Sequence, residues 1–596
     1  MSLPVAPLID GKLGSDPRRT SQHDTKAGTA LSPPALTNTR THDPSITFEE
    51  YMYYAEIARA DEVVKEERYR ASRGKTTWKS LVKDRFSKGH VAHAQSESNT
   101  SAEKTPSNTG DIVTSVTDAE WKQASRAIRT AGWGGVFYLI TTDILGPFST
   151  PWAFAQMGYG PGVALYTVFG VMSYYSGWIM WRAFLGLDSD HYPIRGYGDL
   201  YYRVFGPLSR HLINISQSLQ LVLFVAVLIL SNGQSISQIS QGPSGGKGIC
   251  FVACLVIFMA AGFILGQIRT LQRFAWIANA AVYINLLIMF IVMGVASNSP
   301  PNFKATQASF GDTFGPGPIH TYAGTPPNGM ASGGSGFVGS LNGLNQAVYS
   351  YGGCMIFAAF LAEMRHPMDF WKSLLIGEVF IYVVYMFFGI FVYSYQGQYA
   401  FNPVMQGLSP YPWQTATNIM NLITGLIAAA LYGNIGLKVL YLEVLQELFG
   451  FPPLTVQRGK ILWAVLVPMY WAFAFIIGAA IPQFSYISGL IGALFILSFT
   501  YTLPALLALG FWIKKDAVTE EERFDPATGS FNYVDTGFKR WARGYMKRPV
   551  FNTWNVIYTL GSLATTALGM YSSIEGLISA FSGKSAATSF GCSTPV

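Results

Sequence analysis

Residues 141–153 read TTDILGPFSTPWA and stand inside an apolar stretch that begins near Trp133. In a hydrocarbon layer every backbone N–H and C=O needs a partner, so a helix broken at mid-depth persists only where it lines a protein cavity. Pro147 and Pro151 bring no N–H and crowd the preceding turn, while Gly146 accepts conformations that other residues avoid. The stretch therefore reads as a membrane-spanning helix unwound over residues 144–150. Unwinding frees N–H groups on the outer half and carbonyls on the inner half, which suit a carboxylate and a cation respectively. On this reading Ile144, Leu145, Gly146, Phe148 and Ser149 hold a substrate. A plain proline kink packed against a neighbouring helix is the alternative.

Asp143 precedes the break. It lies about ten residues from Trp133, hence roughly 15 Å into a ~30 Å core. An ionisable group at that depth costs at least ~2.5 kcal/mol on insertion scales and marks function by default. Asp143 is expected to carry a proton or to ligate a cation, with Thr141 and Thr424 as oxygen ligands and Glu378 as the next candidate. An aspartate satisfied by Thr141, Thr142 or a neighbouring helix is the competing reading. Proton and sodium both remain open.

The rest of the chain supplies the setting. Half of its 596 residues are hydrophobic and only 13% are charged, far below the quarter usual in soluble proteins. Apolar windows of about twenty residues recur at 133–156, 162–186, 209–231, 249–266, 273–296, 337–362, 371–395, 413–435, 461–481, 484–512 and 553–578. They give an all-α polytopic membrane protein of about eleven spans. With a cytoplasmic amino terminus, the inner loops hold nearly all the Lys and Arg, from Arg195 to the cluster at 514–548; the outer segments hold Lys247, Lys304 and Lys584. The formal charge of +7 is therefore a topology signal and gives no reason to expect a nucleic-acid partner.

The expected organisation is a largely disordered cytoplasmic tail over 1–120, a transporter domain over 121–581 and a short tail over 582–596. Two capping-box spacings, TFEE at 47–50 and TDAE at 117–120, predict short helices within the first tail. Residues 65–89, rich in Lys and Arg, suit an anionic leaflet. The Pro- and Gly-rich segment 297–336 reads as a loop. The four cysteines fit no metal site and read as free thiols, although Cys250 and Cys592 both fall on the outer side, where a disulfide is the alternative. No cofactor is expected, and no nucleophile–base pair in the spans points to an enzyme.

A second weak point lies in NQAVYSYGGCMIF, 345–357, where adjacent glycines each cost about 1 kcal/mol in a helix. Breaks in spans one and six, five helices apart, predict two five-helix repeats with a binding site at the matched positions. Tyr349, Ser350, Tyr351 and Gly352 join the candidate substrate residues. So do Gln217 and Gln220, spaced by three from Asn214, and Asn421, on one face with Thr417, Asn418 and Thr424. Those polar faces line a cavity or form interhelical hydrogen bonds.

ILGPFSTPWAFAQMGYGPGVAL at 144–165, YGDLYYRVFG at 197–206, FLAEMRHPMDFWKSL at 360–374 and IPQFSYISGLIGAL at 481–494 resemble, in order and spacing, motifs of the amino acid/auxin permease family, and of its fungal neutral amino acid permeases in particular. The chain departs from that pattern in Pro147 and Phe148 at the break and in the acid at 143. The resemblance implies a leucine-transporter-like five-plus-five inverted repeat, and cation-coupled amino acid transport at the plasma membrane or the vacuole. The aromatic surroundings of the breaks point to neutral or aromatic substrates; the expected coupling ion is a proton, with sodium the alternative. A vacuolar exporter or exchanger, an amino acid sensor with little flux, and a carrier for an auxin-like acid or polyamine are the rival readings.

Overall fold

The computed structural model describes residues 42–73, 129 and 131–593, apart from 244–245, 247, 268–271, 335, 455, 527 and 583–588. Among these residues the chain is mostly helical, with one pair of two-residue strands, Phe524–Asp525 and Ser530–Phe531. The tail contributes α1 (Phe48–Arg73). The first apolar window is split into α2 (Trp133–Ile144), a 3₁₀ turn at Pro147–Ser149 and α3 (Thr150–Met157). There follow α4 (Tyr159–Leu187), the link helix α5 (Tyr197–Phe205), α6 (Pro207–Gln241), α7 (Phe251–Leu265) and α8 (Gln272–Asn298). After a short α9 (Phe303–Phe310), the sixth window is split into α10 (Gly336–Ser350) and α11 (Cys354–Glu363). Then come α12 (Phe370–Gln396), α13 (Tyr411–Val439) with its π-helical extension, α14 (Gln446–Phe449) and α15 (Gln457–Ala480). The tenth window is α16 (Phe484–Ile491), π-helical turns and α17 (Leu503–Asp516); α18 (Phe538–Lys547) and α19 (Pro549–Ser582) complete the chain.

A helix or a split helix thus stands at each apolar window. Six stretches, Pro207–Gln241, Ala280–Asn298, Pro367–Tyr399, Tyr411–Phe449, Gln457–Ala480 and Phe484–Asp516, are long and apolar enough to cross a membrane by length and composition. The other windows hold helices that are broken, short, or rich in Tyr, Ser and Gly. Large apolar residues are exposed along both groups of helices, such as Val171, Ile264, Val383, Phe387, Ile461 and Leu560, as expected of a surface that faces hydrocarbon.

Three local readings change. Residues 297–336 are not all loop: α9 forms there because Asn302 caps it, its Oδ1 accepting from the Ala305 N–H at 3.2 Å. The remainder folds over the start of α4, where Tyr159 and Gly160 N–H groups donate to Tyr322 and Ala323 carbonyls at 2.9 and 2.7 Å. Gly158, at φ +80°, makes that corner; a Cβ there would meet the Gly324 oxygen at 2.0 Å. The third window runs ten residues further than expected, to Gln241, because its polar end is bonded to α13. The cysteine reading is also corrected: Cys250 and Cys592 form a disulfide, and only Cys254 and Cys354 are free. The C-terminal segment returns to the bundle, with Phe590 N–H on the Ala479 carbonyl at 3.0 Å and the Cys592 carbonyl accepting from Phe251 N–H at 3.2 Å. A sequence separation of 342 residues conceals that return.

The TFEE spacing opens α1, with Glu50 N–H donating to Thr47 Oγ1 at 3.3 Å. The TDAE spacing and most of the basic segment 65–89 lie outside the described residues. One face of α1, with Tyr51 and Ala55 buried, packs on α4 and α5. Arg59 and Arg129 pair with the fully buried Asp188 at 3.2 and 2.8 Å, and Glu62 accepts from the Met368 N–H at 3.0 Å. This end of the bundle is called the tail face, and the opposite end the disulfide face.

Candidate functional site

The two broken helices meet. A Cβ built on Gly353 would lie 2.6 Å from Ile144 side-chain carbons and 3.0 Å from Asp143 Oδ2, so only hydrogen at this position lets the breaks touch. Gly352 is filled from the other side by Ile496, 2.7 Å from its would-be Cβ. The turn between α10 and α11 spans Tyr351 to Gly353, held by Gly353 N–H on the Tyr351 carbonyl at 3.0 Å.

Unwinding α2 leaves backbone groups that need partners. The protein supplies three of them. Tyr385 of α12 donates its hydroxyl to the Ile144 carbonyl at 2.8 Å and accepts from the Gly146 N–H at 3.1 Å. Asn285 of α8 donates to the Leu145 carbonyl at 3.3 Å. Gly146 itself is exposed, and nothing lies within 4 Å of the direction a Cβ would take. Phe148 and Ser149, at the start of the outer half-helix, are half-buried, as is Asp143. An open space therefore borders the break at mid-span.

Asp143 Oδ1 accepts from the Tyr432 hydroxyl of α13 at 2.7 Å. Tyr432 and Tyr349 flank Phe224 of α6, with ring centroids 5.4 and 5.9 Å away, so an aromatic wall from three helices stands beside the carboxylate. Glu378 of α12 is buried, accepts from Ser173 at 3.0 Å, and leaves Oε2 without a partner. No group of three or more His, Cys, Asp or Glu able to hold a metal occurs among the described residues.

The other expected site residues divide. Tyr349 is half-buried on the Phe224 side, whereas Tyr351 is fully buried against Tyr166 and Tyr385, at 6.1 and 5.8 Å. Ser350 donates to the Gln346 carbonyl of its own helix at 2.8 Å. Gln217 and Gln220 are buried on α6, toward the tail face from Phe224, and Gln220 Oε1 lacks a partner. The polar face of α13 is interhelical: Ser235 donates to Asn418 Oδ1 at 2.9 Å, Asn418 to Gln238 at 2.8 Å, and Asn421 to Ser235 at 3.4 Å. Thr141 and Thr424 both donate within their own helices. Tyr432, not Thr424, reaches α2; the two are eight residues apart, on the order of 12 Å along the axis.

Tyr385, Tyr432, Asn285 and Phe224 are the site residues that sequence reading missed. Mid-span tyrosines are ordinary membrane-core residues until the packing partner is known. Only Asn285, a lone amide in an apolar run, carried a signal.

At the tail face a second polar cluster ties α5, α6 and the end of α13 together. Arg210 pairs with Glu443 and Glu447 and reaches Asp199 at 3.4 Å. Asp199 also lies 2.8 Å from His42 Nε2 and accepts from the Arg195 N–H at 2.9 Å. Burial alone raises the Asp199 carboxyl, but the His42 hydrogen bond and charge, with Arg210 and the Arg195 N–H, outweigh it and hold it well below the usual carboxylate range.

Residues 129–544 match the family described as "Transmembrane amino acid transporter protein", a span that includes both breaks and Asp143. The chain belongs to this family. It is accordingly a membrane transporter of amino acids and not an enzyme, as the motifs at 144–165 and 360–374 implied. Among curated relatives, it is 24% identical over 400 residues to an N amino acid transport system protein of Neurospora crassa, covering 65% of this chain and 78% of that one. It is 22% identical to transmembrane transporters of Gibberella moniliformis and Fusarium pseudograminearum. Those alignments cover 53% and 64% of this chain, and 63% and 75% of theirs.

Proposed function

We propose that the protein is a proton-coupled symporter of neutral or aromatic amino acids that works by alternating access, with eleven spans in a five-plus-five inverted repeat, a cytoplasmic amino terminus and a plasma-membrane location. The observation that carries this reading is the open space at Gly146, bordered by a carboxylate and by the second break. The free N–H groups at the start of the outer half-helix, at Phe148 and Ser149, suit the substrate carboxylate. Tyr349, Phe224, Tyr432 and Phe148 offer aromatic surface for an apolar side chain, and no Lys or Arg stands among the groups that meet at the breaks to favour an acidic one.

Asp143 is the proton carrier in this scheme. Its one side-chain hydrogen bond, from Tyr432, leaves Oδ2 facing the glycine turn of α10–α11, so a change at either break alters its surroundings. Proton coupling has enough force: about 2.3 kcal/mol per charge at 100 mV and about 1.4 kcal/mol per pH unit together sustain roughly several-hundred-fold accumulation. Sodium would instead need oxygen ligands such as the Thr141 hydroxyl.

The test is uptake of a labelled amino acid panel in permease-deficient yeast expressing the chain, at acid and neutral pH, with a protonophore and with sodium replaced. Accumulation of neutral amino acids that collapses with the protonophore supports the proposal. Uptake that needs sodium overturns the proton assignment. No uptake despite surface expression favours the vacuolar exporter or the sensor.

A further inference from the structure

At the tail face, α4, α17 and the start of α19 enclose a groove of about 560 Å³, lined by Tyr175, Trp178, Arg182, Trp512, Arg548 and Trp554. Its walls are aromatic and apolar, yet two guanidinium groups point into the same space. Arg548 lies over the Trp512 ring at 4.5 Å and pairs with Asp516 at 2.8 Å. Arg182 has no carboxylate partner among the described residues. Lys515, 5.4 Å from the Trp512 ring, adds a further positive charge. An unpaired arginine beside hydrocarbon is costly unless an anion accompanies it.

Two features extend the groove. Arg548 accepts the first bond of α19 through its carbonyl, from Asn552 N–H at 3.0 Å, so the amides of Val550 and Phe551 have no partner within the helix, and Pro549 has none to offer. Val550 and Trp554, which also line the groove, begin an apolar stripe that continues along α19 through Ile557 and Leu560; the four are exposed by 84%, 42%, 57% and 61%. Next to it lies α18, whose Phe538, Trp541 and Met546 are also exposed, with the Phe538 and Trp541 rings stacked at 5.8 Å. Basic side chains alternate with these apolar ones, the pattern of a helix lying in the membrane interface.

A cationic end followed by an apolar track fits an amphiphile with an anionic head. We propose that this groove binds an anionic phospholipid of the tail-face leaflet, its phosphate between Arg182, Arg548 and the α19 amino terminus and an acyl chain along Val550, Ile557 and Leu560. Two arginines and a helix amino terminus favour a net-negative headgroup over a zwitterionic one, whose own ammonium would sit among cations.

The full-length chain is placed in nanodiscs of phosphatidylcholine with and without phosphatidylserine, and bound lipid is counted by native mass spectrometry. Wild type retains phosphatidylserine in preference to phosphatidylcholine, and Arg182→Gln weakens that retention by about tenfold, the loss of one charge-assisted hydrogen bond. Val550→Glu, at a position too exposed to disturb packing, produces the same loss by repelling the phosphate, and keeps the test valid if Arg182→Gln folds poorly. Lys304→Gln, far from the groove on α9, changes nothing. Equal retention of the two lipids, or unaltered retention in both Arg182→Gln and Val550→Glu, overturns the proposal. So does inorganic phosphate that displaces phosphatidylserine at matched concentration, which would mark a phosphate site without a lipid.

Discussion

Replacing Tyr385 by Phe removes one oxygen atom and leaves the ring in place. That oxygen has two tasks at the first break: it donates to the Ile144 carbonyl at 2.8 Å and accepts from the Gly146 N–H at 3.1 Å. The two losses are unequal. Ile144 is 6% exposed, so its carbonyl is left without a partner at a cost of about 1–3 kcal/mol. Gly146 faces the open space, where water can take its N–H, and that loss is nearer about 0.5–1 kcal/mol. The broken conformation is thus destabilised by about 1.5–4 kcal/mol in total, or by about tenfold or more in the population able to bind. Tyr385→Phe should therefore reach the membrane but take up amino acids at least about tenfold more slowly at subsaturating substrate, and melt at a lower temperature in nanodiscs. Tyr166→Phe is the control, because its hydroxyl meets Ser350 at 3.4 Å, whose own bond to Gln346 survives, and neither backbone group that Tyr385 holds at the break. If Tyr385→Phe matches wild type in both uptake and melting while Tyr166→Phe does too, the break is not held by this hydroxyl and the account of its geometry is wrong.

Asp143→Asn keeps an oxygen for Tyr432 and removes the acid of the proposed proton carrier, so it should abolish concentrative uptake yet preserve exchange of internal for external substrate; normal accumulation by the mutant would remove Asp143 from the coupling mechanism. Cys592→Ser frees the C-terminal segment and should lower stability by about 2–4 kcal/mol, with no further loss on adding reductant. Alkylation of denatured, unreduced wild-type protein should modify two of its four cysteines, and modification of all four would contradict the disulfide. The Asp199 carboxyl is held below its unfolded value near ~3.9, so its contribution to stability is complete above that pH and disappears as pH falls toward the folded value. The melting difference between wild type and Asp199→Asn should accordingly be constant at neutral pH and narrow below about pH 4; a difference that persists unchanged in acid would show that the carboxylate charge is not what matters.

The positions of the helices were legible because a ~30 Å hydrocarbon layer demands long apolar windows, and because Gly and Pro mark where a helix is interrupted. Gly146, Pro147 and the Gly352–Gly353 pair announced both interruptions. Facing was less legible. Tyr349 and Tyr351 were both expected to line the site, yet residues two apart on a helix point about 200° apart, and the structure sends Tyr349 toward Phe224 and Tyr351 toward Tyr166. The polar stripe at 417–424 was read as cavity or interface, and could be decided only by knowing that Ser235 and Gln238 oppose it. Those two residues lay beyond the expected end of the third window, because hydropathy falls where polar side chains are satisfied by a neighbour and not by water.

The same limit explains why partners of the breaks were missed while the breaks were found. A break is a property of one segment's backbone, written in Gly and Pro, but its satisfaction comes from residues distant in sequence, such as Tyr385 and Asn285. Gly353 joins the two kinds of information. It marks the second break in sequence, and in space its missing Cβ leaves room for Ile144 and Asp143. Helices interrupted at separate places would each create a polar defect in the bilayer core; their meeting at Gly353 puts both interruptions beside one carboxylate and one open space. In the proposed transport cycle, an acid immediately before the first break stands where a shift in either half-helix changes what the carboxylate touches.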